Sequence, residues 1–583
     1  MRLFRDLMWF FRLEKKSYSM GIFVLLIVAL INLFPPYVVG VIVDGVDKRN
    51  MTEEILLKWS LLLLGAGFLA YGLRYAWRLT IFGASSRLGQ LLRRQLFKHL
   101  TQLSPQFYQE HRTGDLMAHA TNDIQAIEMT AGVGVLTLVD SLTTGSLVIL
   151  SMAYFISWKL TLITLLPMPL MAWSTSYYGT LLHKRFHKAQ EAFSDLNNKV
   201  LENISGVRVV RAFGEEEAEK KAFRTLSADV VDKNFAVAKV DALFDPTIQL
   251  IIGISFFLAI SFGAKEVVDG RLSFGQLTQF TIYLGAFIWP MLAFGWLFNI
   301  LERGRASYDR VNTLLTIKHE IVEREGVTDR VPHGEITYRG VSFTYPRTHQ
   351  QVLKEINVTV KPGQTLGIVG KTGSGKTTFF RLLMREFDLL QGDLRIGDHS
   401  IYDVTLGALR TSIGYVPQDN FLFSTSIAEN IAFGKPEATL EEIRSVAEIA
   451  AIHEDITRFE ENYDTLVGDR GVTLSGGQKQ RISIARALLL KPDILILDDS
   501  LSAVDAKTEK AILQALKETR NQKTTLISSH RLSAIEHADL IIVLHNGMLT
   551  ERGSHTELMA IQGWYASTYQ SQQLESLIEE GGV

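Results

Sequence analysis

The chain has 583 residues, more than one domain of ~100–200 residues would use. Net charge is −2, which offers no basic face for nucleic acid, and the absence of cysteine excludes disulfides, Cys-ligated zinc and thiol chemistry. Hydrophobic residues make up 47% and charged residues 21%, and the mean hydropathy of +0.12 averages two unlike halves. Apolar runs crowd residues 18–302, whereas from about 334 onward short strands and helices alternate as in an α/β protein.

Residues 2–13 interleave Leu3, Phe4, Leu7, Met8, Phe10 and Phe11 with Arg2, Arg5, Asp6 and Arg12. This pattern predicts an amphipathic helix on the inner membrane surface. The apolar run after Lys15-Lys16 is longer than a secretory h-region and lacks a small-x-small cleavage site, so no signal peptide is expected. Six spans long enough for ~30 Å of hydrocarbon are expected near 20–43, 55–82, 132–156, 160–180, 245–267 and 275–301. Basic residues flank one side: Arg2, Arg5, Arg12, Lys15 and Lys16 before the first span, Arg87, Arg93, Arg94 and Lys98 after the second, Lys184, Arg185 and Lys188 after the fourth. The positive-inside rule then puts both termini in the cytoplasm of a multi-pass protein of the cytoplasmic membrane.

The connections on that side are long. No proline interrupts the helical pattern of 55–104, a length of roughly 75 Å at the α-helical rise. Residues 181–240 make a second such projection, and the two are broken at His111–Leu116 and Asn203–Val207. Asp140 lies inside the third span, where a carboxylate is costly and suggests a substrate or wet-cavity role. Bonding to Thr137 or Thr144 would explain it equally. Pro35-Pro36 and Trp289-Pro290 predict kinks in spans one and six. Residues 319–333 read as a linker, 334–570 as the second domain, and 571–583 as a C-terminal tail.

Gly370-Lys371-Thr372-Gly373-Ser374-Gly375-Lys376-Thr377 follows a strand at 365–369 and opens a helix at Thr378, the context a phosphate-binding G-x-x-x-x-G-K-T requires. Its glycines let backbone N–H groups close around phosphate oxygens, Lys376 neutralises the outer phosphates, and the Thr377 hydroxyl can ligate Mg²⁺. Leu474-Ser475-Gly476-Gly477-Gln478 is a small-residue loop opening a second helix, another phosphate-binding geometry. Ile494 to Asp498 is an apolar strand ending in an acid suited to Mg²⁺, and Asp499 stands where a general base for water would act.

With Gln418 in Val416-Pro417-Gln418-Asp419, Ser500 to Asp505, and His530 in Ser528-Ser529-His530-Arg531, these motifs resemble, in order and across the whole chain, an ATP-binding-cassette (ABC) exporter. The resemblance implies a six-helix all-α transmembrane domain (1–318) with long cytoplasmic helical extensions, followed by an α/β P-loop ATPase domain. The breaks near 111–118 and 203–210 resemble the coupling helices that dock on the ATPase domain. The resemblance also implies that Tyr345 stacks on the adenine of ATP and that Gln418 touches Mg²⁺ or water. His530 is the implied switch histidine, Asp505 closes the D-loop, and Ser475, Gly476, Gly477 and Gln478 form the signature loop that meets another domain's ATP.

One ATPase domain with six spans is half of such a transporter, so a second half transporter is implied. The family places Glu where this chain has Asp499. An Asp is one methylene shorter, which predicts a site that binds ATP and hydrolyses it slowly, as in one subunit of the heterodimeric bacterial multidrug exporters. The implied function is ATP-driven export of small amphipathic compounds. Lipid flipping, homodimeric export, peptide export and ATP sensing without transport are the alternatives.

Overall fold

The computed structural model describes residues 2–346, 348, 350–468, 471 and 473–580. The chain divides into two compact units, Met1–Gln102 with Glu110–Lys318, and Leu103–Gln109 with His319–Val583.

The first unit is helical. By length and composition, five stretches could cross a membrane: Lys15–Asp47, Glu53–Leu100, Thr113–Leu165, Glu216–Val268 and Phe274–Leu315. Thr113–Leu165 is divided at Ser157, which is extended (φ −159°, ψ 118°) and caps the following turn by accepting from the Leu160 N–H at 3.3 Å. The expected fourth span, 160–180, therefore comes in two pieces, Trp158–Leu165 and Met168–Ser205, parted at Leu166-Pro167. Proline has no N–H to donate to the preceding turn, and the second piece runs from apolar into charged sequence, diluting its hydropathy.

The first span breaks at Leu33, with Pro35 and Pro36 in the first turn of the next helix. The Tyr283 hydroxyl donates to the Leu33 carbonyl at that break (2.7 Å). Pro290 lies within the unbroken helix Phe274–Leu315. The N-terminal segment is two short helices, Arg2–Asp6 and Met8–Leu13. Leu3, Leu7 and Phe10 are buried while Met8, Trp9 and Leu13 are exposed, so its apolar residues face both the protein and its surroundings. Glu14 fastens it by accepting from Arg87 at 2.7 Å.

The long projections form: Glu53–Leu100 is one helix of 48 residues. The second projection breaks at Gly206 as expected, and a short helix, Val207–Phe213, follows with no buried residue. Before it stands the helix ending at Ser205, and after it Glu216–Val268. The first expected break falls at His111-Arg112, and a short helix, Thr113–Ala118, follows it within the expected 111–118. A helix at Pro105–Glu110 precedes it, and Leu103–Gln109 groups with the second unit. Proline at 105 starts a helix well, which adds a short element upstream of that break.

The second unit holds two sheets. One has the order β2-β1-β4-β5, from β1 (Ile336–Thr344), β2 (Gln351–Val360), β4 (Gln391–Ile396) and β5 (His399–Ser400). The other runs β10-β9-β3-β8-β7-β6, from β3 (Thr365–Val369), β6 (Ile413–Val416), β7 (Ile494–Asp498), β8 (Thr524–Ser528), β9 (Leu540–His545) and β10 (Met548–Gly553). Its strands are parallel except the edge pair β9–β10. Side chains alternate between its faces: Leu495, Leu497 and Ile527 enter one core, Ile494, Ile496 and Leu526 the other. Burial on both faces is what a parallel sheet requires.

The stretch 319–333 is no free linker. Arg385, itself buried, donates to the Val322 carbonyl (3.0 Å), Glu323 accepts from the Leu406 N–H (2.7 Å), and Thr328 pairs with 403–405 through backbone bonds. The expected tail also continues a fold element, since helix Trp564–Glu580 runs through the boundary at 570.

Candidate active site

Parallel strands gather their C-terminal ends on one edge, where ligands of α/β sheets sit. Here β3, β7 and β8 are neighbours, and Asp498 and Ile368 both pair with Ser528. That register brings the loop after Val369, the acids 498–499 and the 529–530 turn together. A cavity of about 320 Å³ forms there, lined by Tyr345, Val352, Thr372, Gly373, Ser374, Gly375, Lys376, Thr377, Thr378, Gln418, Asp498, Asp499 and His530.

The phosphate loop needs glycine at specific points. Gly375 has φ +105° and stands as N-cap of helix Lys376–Leu383, so no side chain caps that helix. Its first N–H groups are left for an anion, which the helix dipole favours. A Cβ on Gly370 (φ +152°) would lie 2.2 Å from the Leu544 carbonyl oxygen. The Ser374 hydroxyl is buried with no partner among the described residues, an orphan that a phosphate oxygen would satisfy. Lys376 bridges the loop by donating to the Gly370 carbonyl (2.8 Å) and the Lys371 carbonyl (3.3 Å). Burial lowers its pKa, and Asp499 and Asp498 partly oppose that.

Asp498 is almost fully buried and held on both oxygens. Its Oδ1 accepts from Ser528 (2.6 Å) and Thr377 (3.3 Å), its Oδ2 from Tyr415 (3.4 Å). Burial, with the Asp498 charge second, raises the Tyr415 pKa. Hard oxygens of Thr377 and Asp498, with Gln418 in the same wall, are a donor set of the kind Mg²⁺ takes when phosphate supplies its other ligands.

Asp499 has φ +48°, a left-handed conformation that Asp adopts more readily than most residues. Its N–H donates to the Ser528 carbonyl (3.0 Å) and Ser528 Oγ (3.1 Å), and its carbonyl accepts from the Ser502 hydroxyl (2.9 Å). Tyr345 meets the Thr378 hydroxyl at 2.9 Å and is braced edge-on by Phe343 and Phe387.

The signature residues stand apart from this cavity. Ser475 and Gln478 form a reciprocal cap on helix Gly476–Leu489: the Gln478 N–H donates to the Ser475 hydroxyl (3.3 Å) and the Ser475 N–H to Gln478 Oε1 (3.0 Å). The Gln478 amide also donates to Asp455 (3.3 Å). A Cβ on Gly477 would lie 2.8 Å from the Ala503 carbonyl oxygen, so Gly477 lets the 500–505 loop pack on the helix. Asp505 is likewise outside the cavity wall. It caps Ala506–Thr519 by accepting from the Thr508 N–H (3.0 Å), and the hydrogen bonds from Thr508 lower its pKa. In the third span, Asp140 Oδ1 accepts from the Thr144 hydroxyl at 2.9 Å.

Sequence reasoning missed the hydroxyl of Ser528, which joins Asp498 to Asp499, and the amide of Gln480, which bonds Ala503 N–H (3.0 Å) and Ser502 (3.3 Å). Ser528 was findable as a hydroxyl at the end of the strand beside the acidic one.

Two family models match, "ABC transporter transmembrane region" over residues 18–291 and "ABC transporter" over 353–502. The chain is 47% identical over 582 residues, covering 100% of itself and 98% of the relative, to the multidrug resistance-like ATP-binding protein MdlA of Escherichia coli strain K12. The chain is an ABC transporter. It is 45% identical, over 99% of both chains, to the probable multidrug resistance ABC transporter ATP-binding/permease protein YheI of Bacillus subtilis strain 168. A solved bacterial Atm1-family ABC exporter with ATP bound is similar at TM-score 0.78 and 26% identity, over 96% of this chain and 99% of that one. This ABC transporter carries its membrane and ATPase domains in one chain and couples ATP hydrolysis to transport.

Proposed function

We propose that this transporter exports small amphipathic compounds as one half of a heterodimer. In this reading its own ATP site is slow and its signature loop completes the partner's. The separation within the ATPase unit carries the proposal: the cavity holds the phosphate loop, Asp498, Asp499 and His530, but not Ser475 to Gln478. Ser475 accepts from Gln478 yet keeps its own O–H to donate, so it is ready for a phosphate presented by a second chain. Exposed apolar surface also suits a partner. Phe213 of the short helix Val207–Phe213 is 78% exposed. The short helices Pro105–Glu110 and Val207–Phe213 are the proposed coupling elements, and both termini are assigned to the cytoplasmic side.

Mg²⁺ bound by Thr377, Asp498 and Gln418 would neutralise charge on the β- and γ-phosphates. The chain's own residues do the rest: the loop amides and Lys376 orient the phosphates, Tyr345 receives the base, and Asp499 takes the proton of attacking water. The drug-related names of MdlA and YheI support amphipathic substrates. ATPase measured on the purified chain alone tests the assembly. Weak turnover is expected, and robust turnover abolished by Asp499→Asn would refute the heterodimer. Dye uptake into inverted vesicles tests export against ATP sensing.

A further inference from the structure

The loop that carries His530 is held by a residue far along the chain. Ser529 N–H donates to the Ile368 carbonyl (3.3 Å), and beyond that point strand support ends. On one side Arg531 donates to the Val504 carbonyl (2.9 Å) and to Glu509 (3.2 Å), tying the turn to the D-loop helix. On the other, Gln572 makes two bonds with one amide: Oε1 accepts from the Leu532 N–H (2.9 Å), and Nε2 donates to the His530 carbonyl (2.8 Å). A primary amide is a side chain that offers donor and acceptor in one plane, and here it spans both sides of Arg531.

The helix carrying Gln572 is itself fixed. Glu551 accepts from the N–H groups of Trp564 (2.6 Å) and Tyr565 (3.2 Å) at its start. Tyr565 is fully buried and meets His555 (2.8 Å), and Tyr569 donates to Glu536 (2.6 Å). His530 is meanwhile exposed at the wall of the ATP cavity. A second cavity of about 370 Å³ lies between the phosphate loop and this helix, with Thr372, His530, Trp564 and Gln572 in its wall. The histidine backbone is therefore positioned from a helix that makes none of the expected nucleotide contacts.

We propose that Gln572 is a positioning residue for His530, so that the C-terminal helix sets how the switch histidine meets the γ-phosphate. The inference rests on the ATP site described above and is independent of whether a heterodimer forms. A small displacement of a catalytic group is costly to rate while leaving binding largely intact.

The test uses full-length transporter in nanodiscs, with its partner if it takes one, and single-turnover conversion of radiolabelled ATP. The phase lost in Lys376→Ala is this chain's own. Gln572→Leu is expected to slow that phase about fivefold with ATP affinity unchanged within about twofold. In a His530→Ala background it should slow it no further. An unchanged rate, or the same slowing without the histidine, overturns the proposal. So does a loss of ATP binding and thermal stability that accounts for the slowing. A slow wild-type phase bears on Asp499 and leaves the mutant-to-wild-type ratio readable. Hydrogen exchange gives a reading that needs no turnover: amides 529–534 should exchange about tenfold faster in Gln572→Leu while 365–369 stay protected. Unaltered exchange there overturns the clamp. If Gln572→Leu does not accumulate, Gln572→Asn, whose amide falls a methylene short of both partners, carries the same expectations.

Discussion

Asp499→Glu tests whether reach limits this site. The backbone at 499 is pinned by its N–H on the Ser528 carbonyl (3.0 Å) and Ser528 Oγ (3.1 Å), and by its carbonyl on Ser502 (2.9 Å). A substitution there changes the side chain more than the main chain. One added methylene advances the carboxylate by up to about 1.5 Å, comparable to the difference between a water in hydrogen-bond reach and one out of it. A positioned general base is worth about 10²–10⁴ in rate, and a hundredfold corresponds to about 2.7 kcal/mol of barrier. Against that stands the left-handed φ of +48°, which Glu tolerates less well than Asp at a cost of ~1 kcal/mol. The gain exceeds the strain, so Asp499→Glu should raise hydrolysis at this chain's own site about a hundredfold and lower thermal stability slightly. Single-turnover hydrolysis by the full-length transporter, with the phase assigned by Lys376→Ala, measures it. An unchanged or slower phase in Asp499→Glu, together with a fast wild-type phase that Asp499→Asn abolishes, would refute the argument from length.

Gly375→Ala should weaken ATP binding at least tenfold by calorimetry. The φ of +105° is strained for alanine by about 1–3 kcal/mol, and the new Cβ would lie 2.7 Å from Leu353 Cδ2. Ser475→Ala removes the cap of helix Gly476–Leu489, a cost of about 1 kcal/mol in stability. It should leave ATP binding at this chain's own phosphate loop intact while hydrolysis at the opposing site falls, and a loss confined to this chain's own phase would contradict the cross-chain arrangement. Tyr463 is buried, accepts or donates to His453 at 2.8 Å, and burial pushes its pKa up from 10.0 to about 12. Between those values the folded state keeps a proton that the unfolded state releases, so ATPase-domain stability should fall as pH rises from about 10 to about 12. Denaturant unfolding across that range should show a shallower fall in Tyr463→Phe.

The residues of the candidate ATP cavity were legible because phosphate chemistry constrains the backbone locally. Glycines at φ-restricted points, a lysine and a hydroxyl must follow one another directly, and Tyr345, Thr372 to Thr378, Gln418, Asp498, Asp499 and His530 do line one cavity. The 319–333 strap and the C-terminal helix were not legible, because what holds them is generic. Arg385 reaching the Val322 carbonyl and Gln572 reaching Leu532 join ordinary side chains to backbone across 63 and 40 residues, with no period or spacing to announce them. The fourth span was half legible, since apolar length survives in Trp158–Leu165 and Met168–Ser205 while the break at Pro167 divides it. Asp499 joins both kinds of information. Its shortened side chain is visible in sequence, but the left-handed backbone beneath it is not. That conformation suits Asp, so the same residue that withdraws the base also relaxes the turn holding it. A Glu at this position would gain reach against backbone strain, and under the proposed heterodimer the partner's site removes the need for that exchange.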